Sequence, residues 1–294
     1  MDAVSEKRKE PVMKNKAILL DIDGTLTNSE REVTEKTREV LLRAEELGAR
    51  LVLSSGRPEQ GLYRVADALR MREYGGIFIC YNGAKVLNCE TGEVLFSTPI
   101  PIESTKAVLS HLTNFDVMPM IDKGSYMYVT DVFRSTIHPH LPGRPENFNV
   151  MEYEARGNGF LLCEKKDLAD FVDYDLYKIL TFGEPDYLRA HYREMEAPFR
   201  ESLSCMFTEP FYFEFTAQGI DKAKAIESAL LPLGYEKSDL IAFGDAPNDI
   251  SMLKAAGTGV AMENASPEVK VAADAVTLSN NEDGVAEYVL RNLM

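Results

Sequence analysis

The sequence of 294 residues contains no tryptophan, only four cysteines and four histidines, and no long apolar run. Cys80, Cys89, Cys163 and Cys205 form no Cys-x-x-Cys pair, which argues against a disulfide framework or a zinc site. We therefore expect reduced thiols, most of them buried. No segment approaches the roughly 18 consecutive apolar residues that a membrane-spanning helix requires. Because the start also lacks a signal-peptide pattern, the sequence predicts a cytoplasmic protein without a membrane partner.

Basic residues are outnumbered by acidic ones. The chain has 32 lysines and arginines against 47 aspartates and glutamates, which gives a formal net charge of -15 at pH 7. Nucleic acids and anionic membrane surfaces bind basic surfaces, so neither is an expected partner. If the ligand proves to be an anion, local cations must overcome an unfavourable overall field.

The length predicts two domains, at roughly 150 residues per domain. Residues 1–12 are highly charged and precede the first apolar run, so we expect them to form a disordered extension. Composition carries no signal for the oligomeric state.

The first part of the chain alternates between strand and helix patterns. Ala17–Leu20 is a continuous apolar run that ends at Asp21, which is typical of a strand buried on both faces. A helix is expected next, with Thr34 as its N-cap and Gly48 as its stop. Further strands are predicted at 50–53 and 76–80. This alternation indicates a parallel α/β layer.

The middle of the chain does not continue the strand-helix alternation. It shows several strand patterns with few helix patterns between them. Strands are predicted at 93–98, 118–121, 126–130, 160–163 and 176–181, helices at 104–112 and 186–201, and a loop at 137–149. This pattern predicts an inserted antiparallel α+β domain at residues 85–209. After a strand at 211–216, α/β alternation resumes with helices at 222–231, 250–256, 267–273 and 282–293 and strands at 240–243 and 259–262. The α/β core is therefore predicted to comprise residues 13–84 and 210–294.

Polar side chains follow several predicted strands at the point where each strand ends. In open parallel sheets, ligands bind just beyond the carboxyl ends of the strands. The side chains expected at this edge are Asp21, Asp23, Ser55, Asp245 and Asp249, with Lys222 at the start of a nearby helix. Four carboxylates at one edge repel each other, so either some bind protons or a cation joins them. Oxygen ligands suit Mg2+, which typically binds one or two carboxylates together with phosphate oxygens.

Each motif is weak when taken alone. Asp21-Ile22-Asp23-Gly24 also fits an ordinary strand-ending turn, and it lacks the repeated acidic ligands of an EF-hand. The segments at 54–56 and 245–249 fit a strand-to-helix turn and a helix N-cap, and Lys222 fits an exposed helix residue. The four motifs together, and their order, are far more specific.

Taken in order, these residues resemble the motifs of the haloacid dehalogenase superfamily, and the large insertion resembles that of its Cof-type sugar-phosphatase branch, subclass IIB. The matching motifs are Asp21-Ile22-Asp23-Gly24-Thr25, Ser55-Gly56-Arg57, Gly219-Ile220-Asp221-Lys222, and Gly244-Asp245 with Asn248-Asp249. Segments 82–84 and 261–265 are also similar. Ala223 and Pro247 depart from the usual pattern without removing a reacting group. The resemblance implies a Rossmann-like α/β core with an inserted α+β cap domain of the C2 type.

The same resemblance implies a magnesium-dependent phosphatase acting on a small phosphorylated metabolite, such as a sugar phosphate. Asp21 would be the nucleophile that forms an aspartyl-phosphate, and Asp23 the acid-base partner. The implied phosphate-binding residues are Ser55, Gly56, Arg57, Lys222 and Asn248. The implied magnesium ligands are Asp21, the backbone carbonyl of Asp23, Asp245 and, through water, Asp249. His138, His140 and Arg144 are interpreted as polar residues of a cap loop.

Three other functions are compatible with parts of this pattern. A sugar phosphomutase would share the aspartyl-phosphate but return the phosphoryl group to a sugar. A receiver-like module also accepts phosphate on an aspartate, although such modules are small and lack a large insertion. A non-catalytic phosphate-binding regulator is the third, although every reacting position is filled.

Overall fold

The computed structural model describes residues 13–294, so the expected extension at residues 1–12 lies outside the described part of the chain. The described residues form ten α-helices and sixteen strands in three sheets. No helix within residues 13–294 is long and apolar enough to cross a membrane.

The strands are numbered in chain order. They are β1 (Ala17–Leu20), β2 (Arg50–Ser54), β3 (Ile77–Cys80), β4 (Lys85–Asn88), β5 (Val94–Ser97), β6 (Met118–Lys123), β7 (Tyr126–Val129), β8 (Thr136–Ile137), β9 (Phe148–Asn149), β10 (Leu161–Glu164), β11 (Lys178–Phe182), β12 (Leu203–Glu209), β13 (Tyr212–Ala217), β14 (Leu240–Gly244), β15 (Thr258–Ala261) and β16 (Ala275–Val276).

The α-helices are numbered in the same way. They are α1 (Glu35–Glu46), α2 (Tyr63–Ala68), α3 (Ile102–Leu112), α4 (Val150–Asn158), α5 (Leu168–Phe171), α6 (Pro185–Glu196), α7 (Lys222–Ala225), α8 (Ile250–Ala255), α9 (Pro267–Ala272) and α10 (Gly284–Asn292). A π-helical turn, Ile226–Leu230, continues α7, so the predicted helix at 222–231 is one helical segment of mixed geometry.

The first sheet has eight strands in the order β16-β15-β14-β1-β2-β3-β4-β5. Its first six strands are parallel, and β4 and β5 add an antiparallel edge. Adjacent residues of β1 pack into different apolar clusters, Ile18 on one face of the sheet and Leu19 on the other. Helices cover both faces, which is why these strands are apolar throughout. The predicted α/β fold class is confirmed.

The second sheet has six strands in the order β10-β7-β6-β11-β13-β12. Most neighbours are antiparallel, but β7 and β10 are parallel, so the sheet is mixed rather than antiparallel as predicted. Adjacent residues of β11, Ile179 and Leu180, again pack into different apolar clusters. This alternation places helices against both faces of the second sheet.

The predicted boundaries of the insertion, residues 85 and 209, do not coincide with the sheets. Strands β4 and β5 pair in the first sheet, and β13 pairs with β11 and β12 in the second. By sheet membership, the inserted part runs from after Ser97 to Ala217. Sequence patterns missed this because both strand pairs look like hairpins and do not say which sheet they join.

Other differences are local. Helices α2, α4 and α5 and strands β4 and β12 were not predicted, and the predicted loop at 137–149 is bounded by the short β8–β9 ribbon. The sequence did carry a signal for α4, because asparagine is favoured at helix N-caps. In the structure the Asn149 side chain accepts a hydrogen bond from the Glu152 backbone amide at 2.9 Å. The predicted N-cap of α1 is confirmed, since the Thr34 hydroxyl accepts from the Thr37 amide.

Candidate active site

A buried lysine joins two carboxylates at the carboxyl edge of the first sheet. Lys222 is fully buried, and its ammonium donates to Asp21 Oδ1 at 2.7 Å and to Asp249 Oδ1 at 2.6 Å. A third hydrogen bond goes to the backbone carbonyl of Ser54 at 2.8 Å. Asp21 follows β1 and Lys222 begins α7, so residues 201 positions apart in the chain meet here.

The fourth motif surrounds this pair with further carboxylates. Asp249 is fully buried, and its Oδ2 accepts hydrogen bonds from the backbone amides of Asp245 and Ala246, each at 3.0 Å. Asp245 Oδ1 accepts from the Thr25 hydroxyl at 2.7 Å. Gly24 has a φ of 85°, and a Cβ there would lie 2.4 Å from Asp245 Oδ2. The glycine of the first motif therefore leaves room for this carboxylate.

Burial dominates the electrostatics of the cluster. Burial raises the pKa of Asp21 well above its usual value, and the charge of Asp249 raises it further, although Lys222 acts in the opposite direction. Burial alone would lower the pKa of Lys222, but Asp21 and Asp249 more than compensate, so its pKa rises and it stays charged. Burial also raises the pKa of Asp245. The site thus holds more negative charge than one lysine balances.

Three carboxylates of the cluster are close enough to share a cation. Asp21, Asp245 and Asp249 each offer one oxygen, and these oxygens lie within 4.8 Å of one another. The Asp23 side chain lies outside this group. Because both Asp249 oxygens already accept hydrogen bonds, Asp21 and Asp245 are the more available ligands.

Asp23 pairs with an arginine of the second motif instead. Arg57 Nε and Nη2 donate to the two Asp23 carboxylate oxygens at 2.8 and 2.6 Å, a bidentate arrangement. Arg57 Nη1 also donates to the backbone carbonyl of Gly157, in the inserted part, at 3.2 Å. The Asp23 side chain remains half exposed. Arg57 therefore joins the catalytic motif to the inserted part.

Ser55 and Gly56 line the same edge after β2. Ser55 is buried, and its hydroxyl accepts from the Arg57 backbone amide at 3.2 Å. A Cβ on Gly56 would lie 3.1 Å from the side-chain amide of Asn82, which in turn accepts a hydrogen bond from the Asn248 amide at 3.0 Å. The predicted residues Ser55, Gly56 and Asn248 thus lie in one group, joined through Asn82.

Sequence reasoning assigned no role to several residues that order the site. Thr25 holds Asp245, and Asn82 adopts a left-handed φ of 56° that aims its side chain between Gly56 and Asn248. Asn264 donates to the Gly24 carbonyl at 2.8 Å. The signal available was that Asn82 and Asn264 lie in segments already noted as similar to the family pattern.

Three more contacts connect the inserted part with the core. The Tyr81 hydroxyl donates to Asp122 at 2.6 Å, and the Lys178 ammonium donates to the Gly56 carbonyl at 3.1 Å and to Glu214 at 3.2 Å. The Tyr81 ring also stacks on Tyr177, with 5.3 Å between centroids. The inserted part therefore lies directly over the phosphate-binding motif predicted at 55–57.

The residues interpreted as unrelated to the site are distributed as follows. All four cysteines are free; Cys80 and Cys89 are buried, whereas Cys163 and Cys205 are partly exposed. His138 contacts Glu184 on the surface, and Arg144 packs over aromatic rings including Phe148. Within residues 13–294, the aspartate cluster is the one group with metal-ligand spacing, so the histidines form no metal site there.

Known proteins match almost the whole chain. A family model described as haloacid dehalogenase-like hydrolase matches residues 18–289. A haloacid dehalogenase-like hydrolase from Bacteroides thetaiotaomicron, of known crystal structure, has 35% identity and a TM-score of 0.84, covering 94% of this chain and 98% of that chain.

Two further matches have named activities. The subclass IIB sugar phosphatase BT4131 has 26% identity and a TM-score of 0.72, covering 94% of this chain and 98% of that chain. The pyridoxal phosphate phosphatase YbhA of Escherichia coli is 27% identical over 286 residues, covering 96% of this chain and all of that protein.

Proposed function

This chain is a phosphatase of the haloacid dehalogenase-like hydrolase family, and from that premise we propose that Asp21 attacks small phosphomonoesters in a magnesium-dependent reaction. The observation that carries this proposal is the buried Asp21–Lys222–Asp249 chain at the carboxyl edge of the first sheet. Its geometry holds one oxygen of the Asp21 carboxylate in place while leaving the second oxygen available to attack a phosphorus atom.

Mg2+ fits the cluster because its ligands are carboxylate oxygens and their negative charge exceeds that of Lys222. We propose that Asp21 and Asp245 hold it, together with the Asp23 backbone carbonyl that the family resemblance implies. A bound Mg2+ would supply charge neutralisation at the phosphate oxygens and at Asp21. Asp249 keeps Lys222 and the fourth-motif backbone in position.

The remaining motifs supply donors for the phosphoryl group. Lys222 contributes a fixed positive charge beside Asp21, and Ser55 contributes a hydroxyl. The Gly56 amide and the Asn248 side chain lie at the same edge of the sheet and complete this set of donors. In this way local positive charge and N–H groups oppose the chain's overall net charge of -15.

Asp23 is proposed as the acid-base residue for the leaving oxygen and then for the attacking water. Arg57 occupies both of its carboxylate oxygens. Each oxygen keeps a second lone pair, and the half-exposed side chain leaves room for a leaving-group oxygen to contact it. Arg57 also binds Gly157, so we propose that substrate entry and the position of the inserted part are connected through this arginine.

We propose that the inserted part, from after Ser97 to Ala217, is a cap that covers the site and contacts the leaving group. The contacts of Lys178 with Gly56 and of Tyr81 with Asp122 support this role. The substrates named for the relatives, a sugar phosphate class and pyridoxal phosphate, share a small phosphorylated group. We therefore propose a small phosphorylated metabolite as substrate.

The test is release of inorganic phosphate from p-nitrophenyl phosphate, with and without Mg2+. In Asp21→Asn we expect kcat to fall by about a thousandfold or more, because the nucleophile is lost. The control Asp170→Asn removes an exposed aspartate of α5 and should keep kcat within about twofold. An unchanged rate in Asp21→Asn would refute the assignment. Transfer to an added sugar without phosphate release would instead indicate a phosphomutase.

A further inference from the structure

An arginine-lined cavity opens between the core and the inserted part. It has a volume of about 690 Å³, and its arginines are Arg31, Arg57, Arg64 and Arg156. We call it the arginine cavity. A volume of this size suits a small ligand, since ligand sites commonly measure roughly 300 to 1,000 Å³. The concentration of arginine is unexpected in a chain whose net charge is -15.

The charge of the arginine cavity is only partly balanced. Two glutamates also line it, Glu32 and Glu152, against four arginines. Arg156 pairs with Glu152 at 2.7 Å. Arg57 forms its bidentate ion pair with Asp23. These two pairs leave the other two arginines to be explained.

Arg31 and Arg64 have no carboxylate partner in the described part of the chain. Arg31 packs over the Tyr153 ring, 4.6 Å from its centroid, and donates to the Tyr153 hydroxyl. Arg64 makes no hydrogen bond or ion pair with residues 13–294. Two guanidinium groups thus present unpaired charge beside the aromatic and apolar side chains of Tyr153 and Val65.

The arginine cavity shares residues with the segments that carry the proposed catalytic motifs. Ile22 and Thr27, from the segment that contains Asp23, line it. Arg57 belongs to both places, because it lines the cavity and holds the Asp23 carboxylate. If the leaving group of a substrate held at Asp23 passes Arg57, it reaches the cavity that Arg31 and Arg64 line.

We infer that the arginine cavity binds a second anionic group, a carboxylate or a second phosphate, carried by the leaving group of the substrate. This inference rests on the proposed phosphatase function and narrows its substrate class. Arginine suits the role because its planar guanidinium donates two parallel hydrogen bonds to carboxylate or phosphate oxygens. The preferred substrates are then phosphomonoesters that carry a second anionic group, here called doubly anionic, rather than sugar phosphates whose only anionic group is the phosphate being removed, here called singly anionic.

The experiment compares matched substrate pairs. For the carboxylate source, 6-phosphogluconate is compared with glucose 6-phosphate; for the phosphate source, fructose 1,6-bisphosphate is compared with fructose 6-phosphate. In the wild-type protein we expect kcat/KM to be about tenfold or more higher for the doubly anionic member of at least one pair. The pair that shows the preference identifies the source of the anion.

The double variant R31Q/R64Q tests the residues. We expect the preference ratio, doubly anionic over singly anionic, to fall about tenfold or more, because both unpaired guanidinium groups are removed. The control R43Q/R200Q removes two exposed arginines elsewhere and should leave the ratio and the basal rate unchanged. No preference in the wild-type protein, or a preference that survives in R31Q/R64Q, overturns this inference.

Failure of the inference is separable from failure of the proposed function. If p-nitrophenyl phosphate is hydrolysed through Asp21 but no doubly anionic substrate is preferred, the arginine cavity has been misassigned and the catalytic proposal stands. If Asp21→Asn leaves p-nitrophenyl phosphate hydrolysis unchanged, the proposed function falls, and the inference that depends on it falls as well.

Discussion

Lys222 carries its charge in the interior of the protein, and the two carboxylates that hold it there depend on it in return. Its ammonium contacts Asp21 and Asp249, and all three side chains are buried. A buried ion pair adds little to stability compared with apolar residues, but removal of one member leaves an unpaired buried charge. Removal of Lys222 should therefore lower the stability of the protein by a measurable amount, because Asp21 and Asp249 would remain buried without their cation.

In Lys222→Met, two buried carboxylates lose their cation. We expect the free energy of unfolding to fall by about 3 kcal/mol and phosphatase activity to be lost. Urea denaturation measures the first effect, and Lys224→Met is the control, since Lys224 is an exposed residue of the same helix. Equal stability of the two variants would contradict the account of the buried cluster.

Glu45 is another buried carboxyl group, outside the aspartate cluster, and it has no hydrogen-bond partner within the described residues. It is 3% exposed, neither carboxylate oxygen has a hydrogen-bond partner, and burial raises its pKa to about 8. Between its ordinary value of 4.5 and about 8, the folded state binds a proton that the unfolded state does not. The free energy of unfolding therefore falls as the pH rises through this range.

Glu45→Gln removes this titration while keeping the shape of the side chain. Relative to wild type, we expect the variant to gain about 4 kcal/mol in stability between about pH 5 and about pH 9, with most of the gain complete by about pH 8. Denaturation at several pH values gives the difference, and Glu39→Gln, an exposed change on the same helix, is the control. A difference that does not vary with pH would contradict the assignment.

At the scale of elements, the turn after β3 fixes where α7 begins. Gly83 has a φ of 108°, and a Cβ there would lie 2.2 Å from the backbone carbonyl of Asp221, the residue before Lys222. Asn82 in the same turn donates its backbone amide to the Ser55 carbonyl at 3.0 Å. This turn therefore sets the distance between the second and third motifs.

Gly83→Ala should disturb that distance. The left-handed backbone alone costs roughly 1 kcal/mol for alanine, and the clash with Asp221 adds to it. Gly92→Ala is the matched control, because Gly92 also has a positive φ of 72° but no atom within 4 Å of its added Cβ. We expect Gly83→Ala to be less stable than the control by about 2 kcal/mol and to lose activity. Urea denaturation and phosphate release measure the two effects, and equal behaviour would contradict this role.

Local signals in the sequence predicted the elements that carry the motifs. The apolar run of β1 and the Thr34 cap of α1 are each determined within a few residues, and both are confirmed. Strand β12 was not predicted, although Leu203, Cys205 and Phe207 stand at alternate positions along it and form a usable strand pattern. The assignment of β4, β5 and β13 to sheets depends on pairing with distant strands, which no local pattern contains.

In the candidate site, too, some features were predicted from local patterns and others depend on tertiary packing. The predicted residues at the sheet edge lie together, because parallel strands bring their carboxyl ends to one place. Their catalytic roles stay predictions. The pair of Arg57 with Asp23 and the contact of Tyr81 with Asp122 arise from tertiary packing across the chain, which no local pattern of residues encodes.

At the scale of the whole molecule, the family membership and the α/β fold class inferred from the motifs are confirmed, whereas we propose that the choice of substrate depends on how core and inserted part meet. The Tyr81–Asp122 hydrogen bond joins the two parts directly. Asp122 is otherwise a buried carboxylate whose pKa is raised by burial and lowered by this hydrogen bond.

Tyr81→Phe removes that hydrogen bond and should weaken the contact that holds the inserted part against the core. We expect KM for a sugar phosphate to rise about threefold to tenfold, with the larger share of the effect in KM rather than kcat. Tyr126→Phe, an exposed tyrosine of β7, is the control. Steady-state kinetics that are the same in both variants would argue against the proposed cap function.

The central claim is that Asp21 becomes covalently phosphorylated. Rapid acid quenching of Asp23→Asn during turnover of a radiolabelled phosphomonoester, followed by peptide mapping, tests it most directly, since loss of the proposed acid-base residue should slow hydrolysis of the intermediate. The account predicts one phosphoryl group on the peptide that contains Asp21, absent in Asp21→Asn. A label on another residue, or turnover without any covalent label, would contradict it.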